Sequence, residues 1–455
     1  MTNLWAFIVA ILVLVTIHEW GHYWVAKRCG VRIEKFSIGF GKPLLSWTNK
    51  EGTVFCIAMI PLGGYVKMAG EYSIVTDENA EPQNTEGTFP SKSVWQRMAI
   101  VVAGPAVNLI FAALVFVCLG YGNRQVTLPN AQMPAAQSLA ANLGMQTGDV
   151  VTQINDRSVA DWSDVSREVL VAVFDKKSID LSWRNAVGEA KSGRIDVSAL
   201  SIEQSDWQEK IGLLPQVMPM SVGSIVNDKS AAAQAGLQVG DIVVAVNGQT
   251  TESLESRKSA VKRIQASAGQ VLTLDVLRNG QALTLNVTPQ AQEVGVKENG
   301  QTVTKTQGMI GVGFLQTQTQ QIHVGAMDAL KKGLDQAVFS TRMTAKGLYK
   351  MATGQLSLKN IGGPVSIAQV MGEGAKSGVR DFVNVLAWLS VSLGVLNLLP
   401  IPTLDGGHLM YYVIEVFKGK PVSPRVLAVG QAAGMAFLLM FMGIAFYNDF
   451  MRLFS

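Results

Sequence analysis

Four long apolar runs stand out in the pattern of hydrophobic and polar positions, at residues 4–26, 98–121, 382–404 and 426–447. A helix of about 20 residues crosses the apolar core of a bilayer, so each run is long enough to span it. The first run has no basic start and no small-residue cleavage site, which distinguishes it from a signal peptide. The pattern therefore predicts four retained membrane-spanning helices.

The region between the second and third runs contains an internal repeat. Residues 143–155 and residues 235–247 match at an offset of 92 positions, and both contain a Gly-Asp turn followed by a β-branched strand that ends at an asparagine. An alanine-rich segment precedes each turn. Self-similarity of this kind predicts two copies of one small module.

Two further stretches have a periodic pattern. From residue 324 to 353 the apolar residues fall broadly on one side of an amphipathic helix, which we predict to lie on the membrane surface. Residues 36–41 and 53–68 favour β-strands, and residues 54–65 have no charged side chain. This β region is either a hairpin packed on itself or a hairpin that dips into the bilayer and offers a strand edge to a substrate. The residues alone support both equally.

Composition narrows the classes of function. The chain has 455 residues, 48% of them apolar, and a mean hydropathy of +0.24, which is typical of a protein with several domains and a membrane part. Its net charge of +4 is small, and its basic residues form no stripe with interleaved aromatics, which argues against nucleic acid as a partner. Cys29, Cys56 and Cys118 supply neither a disulfide framework nor a cysteine-rich zinc module.

Basic residues near the spans predict the orientation, because positively charged flanks stay in the cytoplasm. Six Lys and Arg residues follow the first span between positions 27 and 50, whereas the three residues before it carry no side-chain charge. Lys418, Lys420 and Arg425 lie between the third and fourth spans. We therefore expect both termini and the repeat region outside the cytoplasm.

A metal-binding motif lies in the first predicted span. His18, Glu19 and His22 form H-E-x-x-H, which on a helix places two imidazoles one turn apart with a glutamate beside them. Ionisable groups in a membrane helix cost roughly 2.5–3.5 kcal/mol each on insertion scales, so they are rarely present without a role. The motif predicts a Zn²⁺ cofactor with His18 and His22 as ligands and Glu19 as general base.

A catalytic zinc ion needs a third protein ligand, for which three acidic residues are candidates. Glu34 and Glu51 follow the motif as in soluble metalloproteases, whereas Asp405 stands at the end of the third apolar run. The first and third spans run in the same direction, so Asp405 and the motif histidines lie at similar depth. Asp-Gly-Gly is also a common turn sequence, and both interpretations of Asp405 stay open at this point.

Three motifs, in this order, resemble the signature of the site-2 protease family. They are H-E-x-G-H in the first span, Gly104-Pro-Ala-Val-Asn108 in the second and Asn397-Leu-Leu-Pro-Ile-Pro-Thr-Leu-Asp-Gly-Gly407 in the third. The resemblance covers essentially the full length. It implies that His18, His22 and Asp405 bind zinc and that Glu19 is the base of a zinc metalloendopeptidase.

The resemblance also has implications for substrate binding. Asn108 and Asn397 correspond to asparagines that engage the substrate or shape the site; an interhelical hydrogen bond in lipid is the alternative. The β region corresponds to a membrane-dipping element, which favours its interpretation as a clamp for an unwound substrate strand. His408 is expected to support the metal ligands or the fold rather than to bind the metal, and His323 is expected to lie on the other side of the membrane. The strand residues expected to bind substrate are Val54, Phe55, Cys56, Ile57, Ala58, Met59 and Ile60.

The two repeated modules resemble PDZ domains of the type found in bacterial proteases. Such domains bind extended peptides by adding a strand to an exposed edge. We predict short edge strands at 211–214 and 310–314, with peptide contacts at Ile211, Gly212, Leu213, Ile310, Gly311 and Val312. The modules would act as a size filter or as a substrate sensor. A duplicated β module without a ligand is the alternative.

The predicted fold class is a polytopic α-helical membrane protein with four transmembrane helices, a membrane-associated β region and two extracytoplasmic α+β PDZ domains. The expected segments are 1–121 with two spans, zinc motif and β region; 122–220 and 221–316 as PDZ domains; 317–381 as amphipathic helix and connector; and 382–455 with two spans and the third ligand. The resemblance implies a bacterial inner-membrane protein. Its expected partners are the lipid bilayer and single-span substrates, such as a trimmed anti-sigma factor and remnant signal peptides.

Two other functions stay open on the sequence. A membrane-anchored PDZ scaffold would hold a structural zinc ion closed by a fourth protein ligand. A soluble-type metalloprotease on a membrane anchor would use Glu34 or Glu51 as its third ligand, in an aqueous active site.

Overall fold

The computed structural model describes residues 2–70, 86–132, 134, 137–204, 206–216, 219–251, 254–298, 301–314 and 319–454. The chain forms two compact units, one made of Met1–Gly122 with Val324–Ser455 and the other of Asn123–His323. The expected boundary between residues 316 and 317 lies outside the described residues.

The elements of the described ranges are numbered in chain order. The helices are α1 (Thr2–Arg28), α2 (Val94–Gly120), α3 (Trp162–Asp175), α4 (Trp207–Ile211), α5 (Ala231–Gln234), α6 (Leu254–Ala266), α7 (Ala326–Ala352), α8 (Pro364–Ser377), α9 (Val379–Asn397), α10 (Asp405–Lys418) and α11 (Pro424–Phe454). The strands are β1 (Ile33–Thr48), β2 (Val54–Met68), β3 (Gly122–Thr127), β4 (Val150–Ile154), β5 (Arg157–Ser158), β6 (Ile179–Arg184), β7 (Ala190–Ile195), β8 (Met220–Ile225), β9 (Ile242–Val246), β10 (Gln249–Thr250), β11 (Leu272–Arg278), β12 (Gln281–Val287), β13 (Gln290–Glu298), β14 (Gln301–Met309), β15 (Val312–Phe314) and β16 (Thr319–Val324).

Four helices of the first unit are long and apolar enough to cross a membrane, namely α1, α2, α9 and α11. The four predicted spans are therefore present as helices. Helix α2 begins at a capping box in which the side chain of Ser93 accepts from the backbone of Gln96 and the side chain of Gln96 accepts from the backbone of Ser93. This exchange satisfies two amides that a helix start leaves without partners.

The third span is shorter than predicted. Helix α9 ends at Asn397, because Pro400 and Pro402 lack the amide hydrogen that a continuing helix requires. Asp405 is consequently not the last residue of that span. It is the first residue of the separate helix α10.

Helix α7 packs more closely on the spans than a helix resting on a membrane surface would. A Cβ atom at Gly333 would stand 2.6 Å from the Cα atom of Val117 in α2, so this face of α7 lies directly on that span. The ring of Phe339 also meets the ring of Trp388 in α9, with centroids 6.3 Å apart. Four other large apolar residues of α7 are exposed: Met327, Leu330, Leu334 and Val338.

Strands β1 and β2 form a curled sheet in which residues 54–57 have a neighbouring strand segment on each side. Residues 54–57 pair with residues 45–48 as in a hairpin, and they also pair with residues 35–38. Residues 35–38 pair in turn with residues 64–67. The prediction that Val54–Ile57 offers an edge to a substrate is therefore wrong, because these residues have a neighbouring strand on both sides. Ala58 and Ile60 pair with Pro43 and Phe40.

The second unit contains two hydrophobic cores. Residues 131–213 surround the first, which includes the fully buried Val151 and Leu181. Residues 220–310 surround the second, which includes Val243 and Leu274. The first core lies against a sheet of order β5-β4-β6-β7, and the second against a sheet of order β12-β11-β9-β8-β15 with β10 beside β9.

Matching turns recur in this unit at the 92-residue spacing. Asn155 and Asn247 have positive φ angles of 52° and 49°, which asparagine tolerates better than most residues. The side chain of Asn155 accepts a hydrogen bond from the backbone amide of Asp180 in β6, and that of Asn247 accepts one from the amide of Thr273 in β11. Asp149 and Asp241 each accept a hydrogen bond from the backbone amide three residues earlier. The sequence repeat is thus accompanied by a repeat in local structure.

The two segments predicted as peptide edges differ from each other. Val312 begins β15, an end strand of its sheet that pairs with β8. Ile211, in contrast, is the last residue of α4, and Gly212 follows it with a φ of 79°. The prediction of a strand at 211–214 is wrong at its start, because a left-handed residue ends the helix there. Beyond this helix end, Pro215 forms an isolated β-bridge with Ala131.

Candidate metal centre

Three potential metal ligands converge between α1 and α10. Helix α1 places His18 and His22 one turn apart, with their Nε2 atoms separated by 3.2 Å. Oδ2 of Asp405 lies 3.2 Å from Nε2 of His18 and 3.5 Å from Nε2 of His22. Both histidines are buried. In the described part of the chain these residues form the group of His, Cys, Asp and Glu side chains able to hold a metal ion.

The triangle has the size that a zinc ion requires. Bonds of about 2.0–2.1 Å at tetrahedral angles separate the ligand atoms by about 3.4 Å, close to the three separations measured here. Oδ2 of Asp405 is buried and has no hydrogen-bond partner among the described residues. Nδ1 of His22 lies 2.8 Å from the carbonyl oxygen of Ile100. Donation there keeps the proton on Nδ1 and directs the lone pair of Nε2 into the triangle.

The other two candidate ligands lie in ion pairs elsewhere. Glu34 contacts Lys67 at 2.8 Å, and Glu51 contacts Lys27 at 2.7 Å. Neither glutamate belongs to the group of three converging ligands. A site of three protein ligands leaves a fourth position for water, which is the arrangement of catalytic rather than structural zinc.

Glycines allow the helices to approach around this group. A Cβ atom at Gly104 of α2 would overlap Nε2 of His22 and stand 2.8 Å from Cε1 of His18. A Cβ atom at Gly21 would stand 2.5 Å from the carbonyl oxygen of Ala103. Glycine at 104 was visible in the sequence as part of a motif. Its function as space for the two imidazoles follows from the packing alone.

Both motif asparagines lie against His18. The Asn108 side chain is 3.3 Å from Nδ1, and the Asn397 side chain is 3.4 Å from Nε2. Asn108 is fully buried, so the structure does not place it on a surface that a substrate could reach. Its Oδ1 atom has no partner among the described residues. Rotating the amide brings Oδ1 to Nδ1, where it accepts the imidazole proton and orients the ring.

Glu19 stands between the ligand group and the β region. The backbone of Val66 in β2 lies beside its carboxylate. A Cβ atom at Gly64 would stand 3.1 Å from Cγ of Glu19 and 2.8 Å from Cγ1 of Val15. Residues 64–67 thus pair with residues 35–38 of β1 on one side, and Gly64 and Val66 of this segment lie beside Glu19. Sequence reasoning missed this segment, although the adjacent glycines at 63 and 64 are a signal of close backbone approach.

The two glycines after Asp405 belong to a helix rather than a turn. A Cβ atom at Gly406 would overlap the carbonyl oxygen of Leu399, and one at Gly407 would overlap that of Ile401. The segment after α9 therefore folds directly onto the first turn of α10. This contact sets the position of Asp405 at the helix start.

Comparison with known proteins agrees with this geometry. The sequence matches the model of Peptidase family M50 over residues 6–441. Over 99% of this chain and 98% of the relative, it is 39% identical to a Xylella fastidiosa (strain Temecula1) protein that is named as a candidate zinc metalloprotease. It is 37% identical to Protease RseP of Yersinia pestis over 100% of both chains, and 36% identical to Regulator of sigma-E protease RseP of Escherichia coli (strain K12) over 99% of both. The chain therefore belongs to peptidase family M50, the site-2 protease family, and is a zinc metalloprotease.

Proposed function

We propose that this protease cuts membrane proteins within or beside their transmembrane segments. The observation that supports this most directly is the position of the ligand group, since His18 and His22 are buried in a helix apolar enough to span a membrane. One relative is named as a regulator of sigma-E; we propose a trimmed, single-span anti-sigma factor as substrate, and remnant signal peptides as a second kind. The test is incubation of the purified, zinc-loaded chain with a single-span substrate, followed by mapping of the cut. Cleavage confined to soluble regions remote from the transmembrane segment would contradict the proposal.

The chemistry assigns a separate task to each residue. Zinc held by His18, His22 and Asp405 would acidify water and polarise the scissile carbonyl group. Glu19 accepts the proton of the attacking water and returns it to the leaving amine. Asn397 is half-buried beside His18, so its amide can donate a hydrogen bond to the substrate backbone.

We propose that the unwound substrate pairs with residues 64–67 rather than with residues 54–60. The argument is proximity, because the backbone of Val66 lies beside Glu19 and Gly64 packs against the same side chain. Strand pairing would satisfy backbone groups that cost several kcal/mol each when left bare in lipid. Immersion of this sheet in the bilayer is supported by large apolar side chains exposed on it: Leu44, Leu45, Trp47 and Met59.

The proposed location is the bacterial inner membrane, with both termini and residues 123–323 in the periplasm and the metal toward the cytoplasm. Single cysteines at Ser201 and Lys418, introduced after replacement of the native cysteines, should respond differently to an impermeant thiol reagent. We expect labelling at position 201 in intact cells and at position 418 only after the membrane is opened. Labelling at 418 but not at 201 in intact cells would reverse the orientation.

We further propose that residues 123–323 comprise two PDZ modules that exclude substrates with a bulky periplasmic domain. Two separate cores and the recurring turns support the duplication. The competing role is capture of a peptide at an edge such as β15. Exclusion of bulky substrates depends on the volume of the two modules, whereas peptide capture depends on a free strand edge such as β15.

Removal of the modules should let the protease cut an untrimmed substrate. Strands β3 and β16 pair at the two ends of this unit, with Gln125 and Thr319 joined at 2.7 Å, so a short Gly-Ser linker can replace residues 128–318. We expect this variant to cleave trimmed and untrimmed substrates, and the intact chain to cleave only the trimmed one. The readout is the fraction of each substrate cut. Rejection of the untrimmed substrate by a variant that still cuts the trimmed one would contradict exclusion.

An edge variant separates exclusion from capture. Gly212 and Gly311 are unsuitable positions, because both have positive φ angles and a Cβ atom would meet Ser138 or Ser230. Gly313 in β15 is suitable, since a Cβ atom there meets only the side chain of Ser224. The double variant Gly313→Val with Ser224→Ala should block the edge and leave exclusion intact. Release of the untrimmed substrate by this variant would instead favour capture.

A further inference from the structure

An ion pair remote from the metal ligands joins α10, which carries Asp405, to α2. Nη2 of Arg97, in the first turn of α2, lies 2.6 Å from Oε1 of Glu415, in the last turn of α10. Both side chains are only 15% exposed. The guanidinium also donates from Nε to the carbonyl oxygen of Lys92 at 3.2 Å, and its carbon lies 4.9 Å from the ring centroid of Tyr412. Contacts with three residues thus hold Arg97 in place.

The part of α2 that carries Arg97 also orients one of the histidines. The carbonyl oxygen of Ile100, three residues after Arg97, is the partner of Nδ1 of His22. Tyr412 packs against the core cluster that contains Ile100 and Phe89, so this stretch of α10 rests on the same cluster. The ion pair therefore connects the helix that supplies the carboxylate with the turn that orients an imidazole.

Rotation of α10 about its own axis would move the carboxylate of Asp405 away from the two imidazoles. Close backbone contacts at Gly406 and Gly407 set the position of the helix start, and the ion pair of Glu415 is a second point of attachment near the other end of the helix. An atom about 6 Å from a helix axis moves by about 2 Å when the helix turns by about 20°. Metal–ligand distances tolerate only about 0.2 Å. A directional, charge-assisted hydrogen bond at the far end of the helix opposes this rotation.

We propose that Arg97 and Glu415 are positioning residues for zinc. Their ion pair holds α10 in the rotation at which the carboxylate of Asp405 meets the two imidazoles. Neither residue touches the ligand group, and neither belongs to the motifs that identify the family. The proposal rests on the assignment of Asp405 as third ligand.

The test is the zinc dissociation constant of the purified full-length chain, measured by competition with a chelator after removal and return of the metal. Arg97→Gln and Glu415→Gln are each expected to raise it about tenfold or more, the size of effect seen for residues that orient metal ligands. The reversed pair, Arg97→Glu with Glu415→Arg, should recover most of the loss. Cobalt(II) in place of zinc should show weaker tetrahedral absorption bands in the single variants. Glu51→Gln is the control, since it breaks an exposed ion pair with Lys27 and should change nothing.

The outcomes separate this proposal from the ligand assignment. Asp405→Asn is measured beside the other variants, and unchanged zinc binding in that variant would remove Asp405 as a ligand. If Asp405→Asn loses zinc while Arg97→Gln and Glu415→Gln keep wild-type affinity, the positioning role alone is overturned. A loss that the reversed pair fails to recover also overturns it, since that indicates general damage to packing. Glu415→Gln, which keeps the size of the side chain, decides the question if Arg97→Gln does not fold.

Discussion

Replacing Glu19 by glutamine is expected to abolish cleavage of a single-span substrate while zinc remains bound. The amide keeps the shape of the side chain but cannot accept a proton, and loss of a general base lowers rates by about 10²- to 10⁴-fold. Glu19 is not among the three converging ligand atoms, so zinc content should stay near that of the wild type. Metal content by mass spectrometry and the rate of fragment formation, measured on the same preparation, test both statements.

Glu34→Gln is a matched control for this variant. It makes the same chemical change in a glutamate that pairs with Lys67, away from the ligand group. We expect it to cleave at the wild-type rate. Turnover near the wild-type rate in Glu19→Gln would remove Glu19 as the base. Loss of zinc in that variant would instead assign Glu19 to the metal.

Asp405→Asn and Asp405→Ala are expected to lose both zinc and activity. Substitution of a residue that only orients a metal ligand lowers metal affinity by about 10- to 100-fold. Removal of a ligand itself should therefore lower zinc affinity by more than about 100-fold. The carboxylate is also the one acidic group of the triangle, and its charge offsets that of the metal in a site surrounded by apolar helices. Chelator competition on the purified chain measures the loss.

Glu34→Ala and Glu51→Ala should leave zinc binding unchanged, because both side chains form ion pairs elsewhere. Zinc loss in either of them, with wild-type affinity in Asp405→Asn, would overturn the choice of third ligand. It would favour the soluble-type arrangement that the sequence left open. A fourth protein ligand detected on the bound metal would favour the structural-zinc scaffold.

Features with a strong local signal were predictable from the sequence. The four spans depend on the length of apolar runs, and all four occur as helices. The relation of His18 to His22 depends only on the pitch of a helix, so it holds wherever α1 lies in the molecule. Glycine and asparagine at turns likewise reflect local backbone conformation, as the paired φ angles of Asn155 and Asn247 illustrate.

Features that depend on distant parts of the chain were missed or left open. The end of α9 was placed seven residues too late, since an apolar run does not reveal where prolines end its helix. Residues 54–57 were predicted to form a free strand edge. They in fact have a second neighbouring strand, residues 35–38, and no local sequence pattern indicates that pairing. Arg97 and Glu415 are separated by 318 positions and belong to no motif.

The sequence by itself determined the family motifs, the spans and the two imidazoles, because each is a matter of residue type and local periodicity. The tertiary structure decided which acidic residue joins the imidazoles, why position 104 must lack a side chain, and which strand faces Glu19. The physical reason is the same in each case. The separation of 3.2 Å between the ligand atoms of His18 in α1 and Asp405 in α10 depends on how helices and strands pack. Packing depends on many contacts between segments that are distant along the chain, and these contacts leave no periodic pattern in the sequence.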